Sequence, residues 1–393
     1  MEFSDVTSTD QQTALRLGRW AAGALFFING FVVGSWAPHI PSFVSRLGIS
    51  EFTLGLLILG FGLGALLAMT LAGQLIAHLG SRQTLRLFAL PVIFALPLVA
   101  LASDVWVAAI ALTLFGGAIG GMDVAMNANV VAVEKQLRRA IMSSSHGFWS
   151  LGGFAGGGLG GIAIQTLGPL THATAVAVFA AVGVALAYAH IAEDADRPRH
   201  ARYRFTLPSH PAIYIVGAMA LLCMSAEGAV LSWSALYLQK ELSADIATAG
   251  FAFAGFSGAM ALTRFGGDSI RNRLGAVTTF FLSGIIAALG MLVVGLSHSP
   301  WLAIAAFALS GIGIANLVPI LFSTAGNQPG MIAGVSMSVV TTMGHSGILL
   351  APSIIGFVGG KVGLAPVFIA VAILLGAVSL MSEKTAAADA NYG

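Results

Sequence analysis

Long apolar stretches separated by short polar breaks run along the whole chain. Each stretch has about 20 residues or more, the length at which a helix crosses about 30 Å of hydrocarbon. The stretches lack the alternation of barrel strands, and an open sheet cannot satisfy its backbone groups in lipid. The pattern therefore predicts an all-α membrane protein with twelve spans, at residues 19–45, 51–76, 84–102, 105–132, 141–167, 172–192, 211–239, 246–264, 277–296, 301–323, 332–358 and 362–382.

The longest polar stretch inside the chain divides the predicted spans into six and six. It runs from Glu193 to His210 and reads EDADRPRHARYRFTLPSH. The natural interpretation is two helical bundles joined by one linker. We therefore expect an N-terminal six-helix bundle in residues 1–192, a linker in residues 193–210 and a C-terminal six-helix bundle in residues 211–393.

The positions of the basic residues predict the orientation in the membrane. If the N-terminus is cytoplasmic, only Arg46, Lys240 and Lys361, of the 18 Lys and Arg, fall in outside segments. Basic residues concentrate on the cytoplasmic side of membrane proteins, so we expect both termini and the linker to be cytoplasmic. An odd number of spans would destroy this bias. The first apolar segment is too long for a signal peptide and is expected to remain as a span.

Composition supports a bilayer environment and excludes several classes of protein. The chain is 57% hydrophobic and 9% charged, whereas a soluble domain has about 25% charged residues. The 49 glycines suit close packing of membrane helices. A net charge of +2 gives no indication of nucleic-acid binding, and the single cysteine, Cys223, excludes an intramolecular disulfide.

The two halves share a faint repeat in their basic turns, Gly73–Arg82 and Arg264–Gly275. With twelve spans and a central linker, these turns resemble the major facilitator superfamily, although Ala77 stands where the family has an acid. Two further stretches, GGMDVAMNAN (Gly120–Asn129) and AEGAVLSWSALYL (Ala226–Leu238), resemble the fucose-permease-related, YbjJ-like branch. The resemblance implies a monomeric carrier in a bacterial cytoplasmic (inner) membrane. It also implies proton-coupled uptake of a sugar or similar polar solute, bound between the halves.

Two acids lie deep inside apolar spans, Asp123 and Glu227. A charged side chain there costs roughly 2.5–3.5 kcal/mol on insertion scales, and such residues usually mark ion or substrate paths. The alternative is a protonated acid that only bonds a neighbouring helix. His345, near the middle of a span, is a third candidate for proton coupling because histidine changes charge near neutral pH.

Amides and aromatic rings near these acids predict a substrate site. Asn127 follows Asp123 by four residues and shares its helix face. Sugars present apolar CH faces to aromatic rings and hydroxyl edges to amides. The alternatives stay open, because amides also join helices and tryptophans also anchor span ends at the membrane interface. The predicted substrate contacts are Asn29, Trp36, Asn127, His146, Trp149, Trp233 and Asn316.

The sequence carries no signature of ATP binding or of a metal site. The glycine-rich run Gly152–Gly161 is followed by no Walker lysine and is expected to pack on another helix. No two histidines have the spacing of a helical metal site, so we expect no metal and no cofactor. The favoured function is proton-coupled secondary transport without catalysis. The alternatives are a drug or metabolite exporter of the same fold, and a non-transporting receptor or intramembrane enzyme.

Overall fold

The computed structural model is helical throughout, and it describes residues 2–137, 141–194, 211–329, 331 and 333–389. The first bundle contains α1 (Glu2–Trp36), α2 (His39–Leu47), α3 (Glu51–Leu79), α4 (Ser81–Leu101), α5 (Val105–Leu137), α6 (Met142–Leu167) and α7 (Pro169–Tyr188). The second contains α8 (Pro211–Glu241), α9 (Ile246–Leu296), α10 (Pro300–Gly326), α11 (Ala333–Val362), α12 (Leu364–Ser379) and a 3₁₀ helix (Ser382–Asp389).

A helix occupies each of the twelve predicted spans. Ten helical segments of the described chain are long and apolar enough to cross a membrane. An eleventh consists of α12 and the 3₁₀ helix, which meet at a bend of 53°. The twelfth is α6, whose 26 residues would extend about 39 Å, although its glycines dilute its apolar character. The prediction of an all-α, twelve-span protein is confirmed.

The first predicted span was too long at its C-terminal end. The sequence predicted one span over residues 19–45, but α1 ends at Trp36 and the short helix α2 follows. Pro38 causes the break, because proline disfavours helical backbone at the preceding residue, here Ala37, and has no N–H to donate. His39 consequently begins α2 rather than lying inside a span.

The turn predicted between spans 8 and 9 is also different. Helix α9 runs from Ile246 to Leu296, and its backbone leaves the helical region only at Gly275. The basic stretch that begins at Arg264 is therefore helical up to the kink. Gly275 has a φ of 77°, a conformation that residues with a Cβ rarely adopt.

The two bundles repeat the same backbone plan at an offset of 195 positions. Six described residues have a positive φ, and they form three pairs at this offset, as 275 minus 80 illustrates: Gly48 with Ser243, Gly80 with Gly275, and Gly168 with Gly363. The faint repeat seen in the turns is thus a repeat of the whole bundle. Such internal repeats are common in secondary transporters.

The same offset relates two aspartates that cap helix N-termini. Asp194 accepts a hydrogen bond from the backbone N–H of Ser81 at 2.7 Å. Asp389 accepts one from the backbone N–H of Ala276 at 2.8 Å. A carboxylate at this position satisfies an unpaired N–H and interacts favourably with the helix dipole. Each aspartate lies after the last membrane helix of its bundle, and each cap ties that end of the chain to the third span of the same bundle. We call the end of the molecule that carries both caps the linker end, and the opposite end the far end.

Glycine lets α6 lie directly against helices of both bundles. A Cβ on Gly152 would come within 2.1 Å of the carbonyl oxygen of Phe27 in α1. On the other side of α6, a Cβ on Gly161 would come within 2.9 Å of two carbonyl oxygens of α9. Such backbone contact is how membrane helices pack without a hydrophobic driving force. The prediction that Gly152–Gly161 packs on another helix is confirmed.

We predict that Asp194→Ala destabilises the N-terminal bundle by about 1 kcal/mol, because the N-terminus of α4 loses its cap. Thermal unfolding of the purified protein in detergent measures the effect. The matched control is Glu193→Ala, which should cost below about 0.5 kcal/mol. Its side chain is 78% exposed, and Arg82 is its one ion-pair partner among the described residues. Equal losses for the two variants would contradict the assigned role of Asp194.

Candidate functional site

A chain of hydrogen bonds joins Asp123, Asn127 and His146 in the N-terminal bundle. The amide nitrogen of Asn127 donates to the Asp123 carboxylate at 3.2 Å and to its backbone carbonyl at 2.8 Å. Nε2 of His146 lies 3.1 Å from the amide oxygen of Asn127. An amide oxygen only accepts, so Nε2 of His146 carries the proton and Nδ1 holds the free lone pair in the neutral ring. All three side chains are half-buried.

Asn29 and Trp149 form a brace behind this chain. The indole Nε1 of Trp149 donates to the amide oxygen of Asn29 at 2.9 Å, and the Asn29 amide donates to the carbonyl of Ile119 at 3.3 Å. One side chain of α1 therefore ties α5 to α6. Asn29 is fully buried, whereas Trp149 is half-buried. Asn29 positions the indole, and of these two predicted substrate contacts Trp149 is the more exposed.

Glu227 faces a residue that the sequence analysis assigned to a cytoplasmic turn. Arg264 projects from α9 with a guanidinium nitrogen 4.0 Å from the Glu227 carboxylate. A second nitrogen of the same guanidinium donates to the Ser150 hydroxyl of α6 at 2.9 Å. The side chains of Arg264 and Glu227 are only 15% and 19% exposed. Arg264 thus connects the two bundles at the level of the acid, and its charge also acts on His146.

His345 completes the polar set from α11. Its Nδ1 lies 2.8 Å from the carbonyl oxygen of Thr341, so Nδ1 donates and Nε2 holds the lone pair of the neutral ring. His345 also interacts electrostatically with Asp123 across the boundary between the bundles. Its ring is half-buried.

The residues that these contacts link form what we call the central cluster: Asp123, Asn127, His146, Ser150, Glu227, Arg264 and His345. We include Trp149, which lies one helical turn after His146 on α6. The cluster contains two acids, one arginine and two histidines, so its formal charge is −1 when both histidines are neutral. Both bundles contribute to it. The arrangement offers hydrogen-bond donors, acceptors and an aromatic ring, and it contains four ionisable side chains besides Arg264.

Three predicted contact residues lie elsewhere. Trp36 is buried and packs edge-to-face on Phe43 and Phe115. Trp233 is fully buried. Its indole packs so closely on Gly356 that a Cβ there would lie 3.0 Å from the ring. Asn316 points its amide oxygen at Gly267 within its own bundle. Their predicted role as substrate contacts has no support in this conformation, because packing rather than an open cavity surrounds them.

Sequence reasoning missed Arg264, Ser150 and His172. Arg264 was counted as a loop charge because the helix was expected to end there. The apolar residues Leu262 and Phe265 close to it were the available signal. His172 bonds His39 through ring nitrogens 2.8 Å apart in a buried pair, and nothing in their spacing of 133 residues indicated this contact.

The boundary between the bundles is closed at the far end. Lys240 pairs with Glu51, the Ser353 hydroxyl donates to the carbonyl of Gly55 at 3.0 Å, and the side chain of Gln165 accepts from the N–H of Ala247 at 2.9 Å. Each of these contacts crosses from one bundle to the other. Toward the linker end, the contacts between described side chains of the two bundles include Arg264 with Ser150.

Two six-helix repeats that enclose a polar cluster are the architecture of a class of membrane transport protein. Proteins of similar sequence include members of the same class. An uncharacterised MFS-type transporter of Yersinia pestis is 37% identical over 366 residues, which cover 93% of both chains. Membrane protein MosC of Rhizobium meliloti is 32% identical over 91% of this chain and 88% of its own. The family model of the Major Facilitator Superfamily matches residues 22–212. The chain therefore belongs to the Major Facilitator Superfamily.

Solved structures with a similar fold confirm the architecture. The nucleoside transporter NupG superposes with a TM-score of 0.70 at 12% identity, over 93% of this chain and 98% of that one. The D-xylose-proton symporter gives a TM-score of 0.74 at 12% identity, over 93% and 96%. At this level of identity the likeness shows the fold alone.

We predict a coupling free energy of about 1 kcal/mol between Asn29 and Trp149. Asn29→Leu and Trp149→Phe each remove one partner of their hydrogen bond, so the second substitution should cost less once the first is present. Thermal unfolding of the two single variants and the double variant measures this. The control cycle pairs Asn29→Leu with Thr166→Val, whose hydroxyl bonds only within α6, and should be additive. Additivity in both cycles would contradict the brace.

Proposed function

We propose that this protein is a proton-coupled secondary transporter that carries a small polar solute, a sugar or related metabolite, by alternating access. The observation that supports this best is the composition of the central cluster. Asp123, Glu227 and His345 are titratable groups placed inside membrane spans, where unneeded charges are costly. They stand beside Asn127 and Trp149, which offer hydrogen bonds and an aromatic face.

In the proposed cycle, the solute binds between the N-terminal bundle (residues 1–192) and the C-terminal bundle (residues 211–393), which residues 193–210 join. Protonation of Asp123 or Glu227 removes a charge that would otherwise resist movement through the membrane interior. The loaded carrier can then reorient, and deprotonation on the other side releases the solute. The half-exposed cluster and the closed far end correspond to a carrier open toward the linker end.

Two further assignments belong to this proposal. The stretches that resemble the fucose-permease-related branch contain Asp123 and Glu227, so we propose that the chain belongs to that branch. We also propose a monomer in the bacterial cytoplasmic membrane with both termini on the cytoplasmic side, as the distribution of basic residues requires. The linker end then faces the cytoplasm.

We expect Asp123→Asn and Glu227→Gln to abolish gradient-driven accumulation if these acids carry the coupling proton. Both variants keep the shape of the side chain but cannot ionise. Accumulation in proteoliposomes should fall to the level reached without a pH gradient, while exchange of solute for solute should continue. The solute is whichever member of a radiolabelled panel of sugars, polyols, nucleosides, sugar acids and amino acids the unmodified protein accumulates.

The matched control for this experiment is Asp104→Asn. Asp104 precedes α5 outside the spans, and its side chain accepts from the N–H groups of Trp106 and Val107, which an asparagine oxygen also does. This variant should accumulate normally. Full accumulation by both Asp123→Asn and Glu227→Gln would disprove their coupling role and leave His345 as the proton carrier.

The orientation is tested by cysteine labelling in a Cys223→Ser background. An impermeant maleimide added to intact cells should fail to label Ser209→Cys in the linker, because the linker is cytoplasmic. It should label Ser103→Cys, an exposed position at the far end. After permeabilisation both positions should react. The reverse pattern in intact cells would overturn the proposed topology.

A further inference from the structure

The guanidinium of Arg264 has more donors than the surrounding protein uses. It has five N–H groups, and the described residues accept one hydrogen bond from it, at the Ser150 hydroxyl. Its ion-pair partner Glu227 is 4.0 Å away, beyond the 2.7–2.9 Å typical of a charge-assisted hydrogen bond. A cation inside a membrane span is costly unless it is well paired. Arg264 is therefore held in position with free donors that face the central cluster.

We propose that the transported solute bears a carboxylate group and that this group binds Arg264. The inference rests on the proposed function and specifies its substrate class. A carboxylate accepts two parallel hydrogen bonds from a guanidinium, a geometry that a lone hydroxyl cannot provide. The rest of the solute would contact Trp149 with an apolar face and Asn127 with hydroxyl groups, since both side chains are half-buried in the same cluster.

The guanidinium of Arg264 favours an acid over an amine as its partner, and uptake of one proton brings the formal charge of the cluster from −1 to zero. An amine bound near Arg264 would be repelled by the guanidinium. The other acid, Asp123, already accepts a hydrogen bond from Asn127 and interacts with His345. A neutral sugar would leave the buried guanidinium as poorly paired as before. Only an anionic solute supplies the missing partner of Arg264.

An anion at Arg264 also gives a physical reason for proton coupling. A bound carboxylate and an ionised Glu227 would both lie close to one guanidinium and repel each other. Solute binding therefore favours the protonated form of Glu227, and one proton accompanies each anion. The titratable groups of the central cluster are Glu227 of α8 and His146 of α6, which interact with Arg264, and Asp123 of α5 and His345 of α11, which interact with each other. Affinity for the acid should therefore rise as the pH falls.

The test uses sugars of one shape and different charge. The purified protein is titrated with glucose, glucuronate and glucosamine, and with the corresponding galactose series, while thermal unfolding reports binding. We expect an acid to stabilise the protein and its neutral and amino counterparts to have at least about tenfold weaker affinity. Preferential binding of a neutral or amino sugar, or no binding by either acid, would overturn the proposal.

Variants separate binding from folding. Arg264→Gln should lose the preference for the acid, and Arg264→Lys should keep part of it because the charge remains without the fork geometry. Glu227→Gln should still bind the acid, but the part of the rise in affinity at low pH that depends on the Glu227 carboxyl should be lost. The control is Arg273→Gln, an exposed arginine of the same helix, which should bind normally. An unchanged preference in a folded Arg264→Gln protein would overturn the proposal.

The transport assay distinguishes this inference from the proposed function. If a neutral or amino sugar accumulates under a pH gradient, the protein is a proton-coupled carrier and the carboxylate class is wrong. If an acid accumulates and Arg264→Gln abolishes its uptake, both proposals stand. If no solute of the wider panel accumulates, the proposed function itself is refuted, even where an acid binds.

Discussion

Backbone N–H and C=O groups at the ends of membrane helices need hydrogen-bond partners, and the architecture depends on this constraint. The carboxylate caps at Asp194 and Asp389 satisfy it in both bundles. Each cap holds the N-terminus of a helix that starts after a glycine of positive φ, Gly80 or Gly275. Each also fastens the end of its bundle to the third span of that bundle. Because both bundles use the same device 195 positions apart, each can act as a rigid unit.

The repeat governs the scaffold but does not extend to the central cluster. Shifted by 195 positions, Asp123 corresponds to Val318, and Glu227 corresponds to Val32. Val32 and Val318 are apolar, so neither acid has an ionisable counterpart in the other bundle. The symmetric frame therefore carries one membrane-embedded acid in each bundle, at positions that are not equivalent. This asymmetry brings Glu227 next to Arg264 while Asp123 bonds Asn127 in its own helix.

Sequence patterns predict the spans well because the bilayer fixes their length and polarity. They fail where a single backbone angle decides, as at Pro38, which ends α1, and at Gly275, which was assigned to a turn although the helix continues to it. They also fail for contacts distant in sequence, such as Arg264 with Ser150, 114 residues apart. Periodicity places a side chain on a helix face, but packing between bundles decides whether that face meets solute, lipid or another helix.

The closure at the far end is weak enough to be reversed in a transport cycle. The Glu51 and Lys240 side chains are 22% and 43% exposed, and ion pairs of this kind contribute about 0–1 kcal/mol. The hydrogen bond from Ser353 to Gly55 adds a net stabilisation of about 1 kcal/mol. Between α6 and α9 the contacts combine glycine backbone, as at Gly161 and Gly250, with the side chains of Phe253 and Ser257. The two polar contacts together contribute about 1–2 kcal/mol, an amount that differential binding of a solute and a proton can exceed.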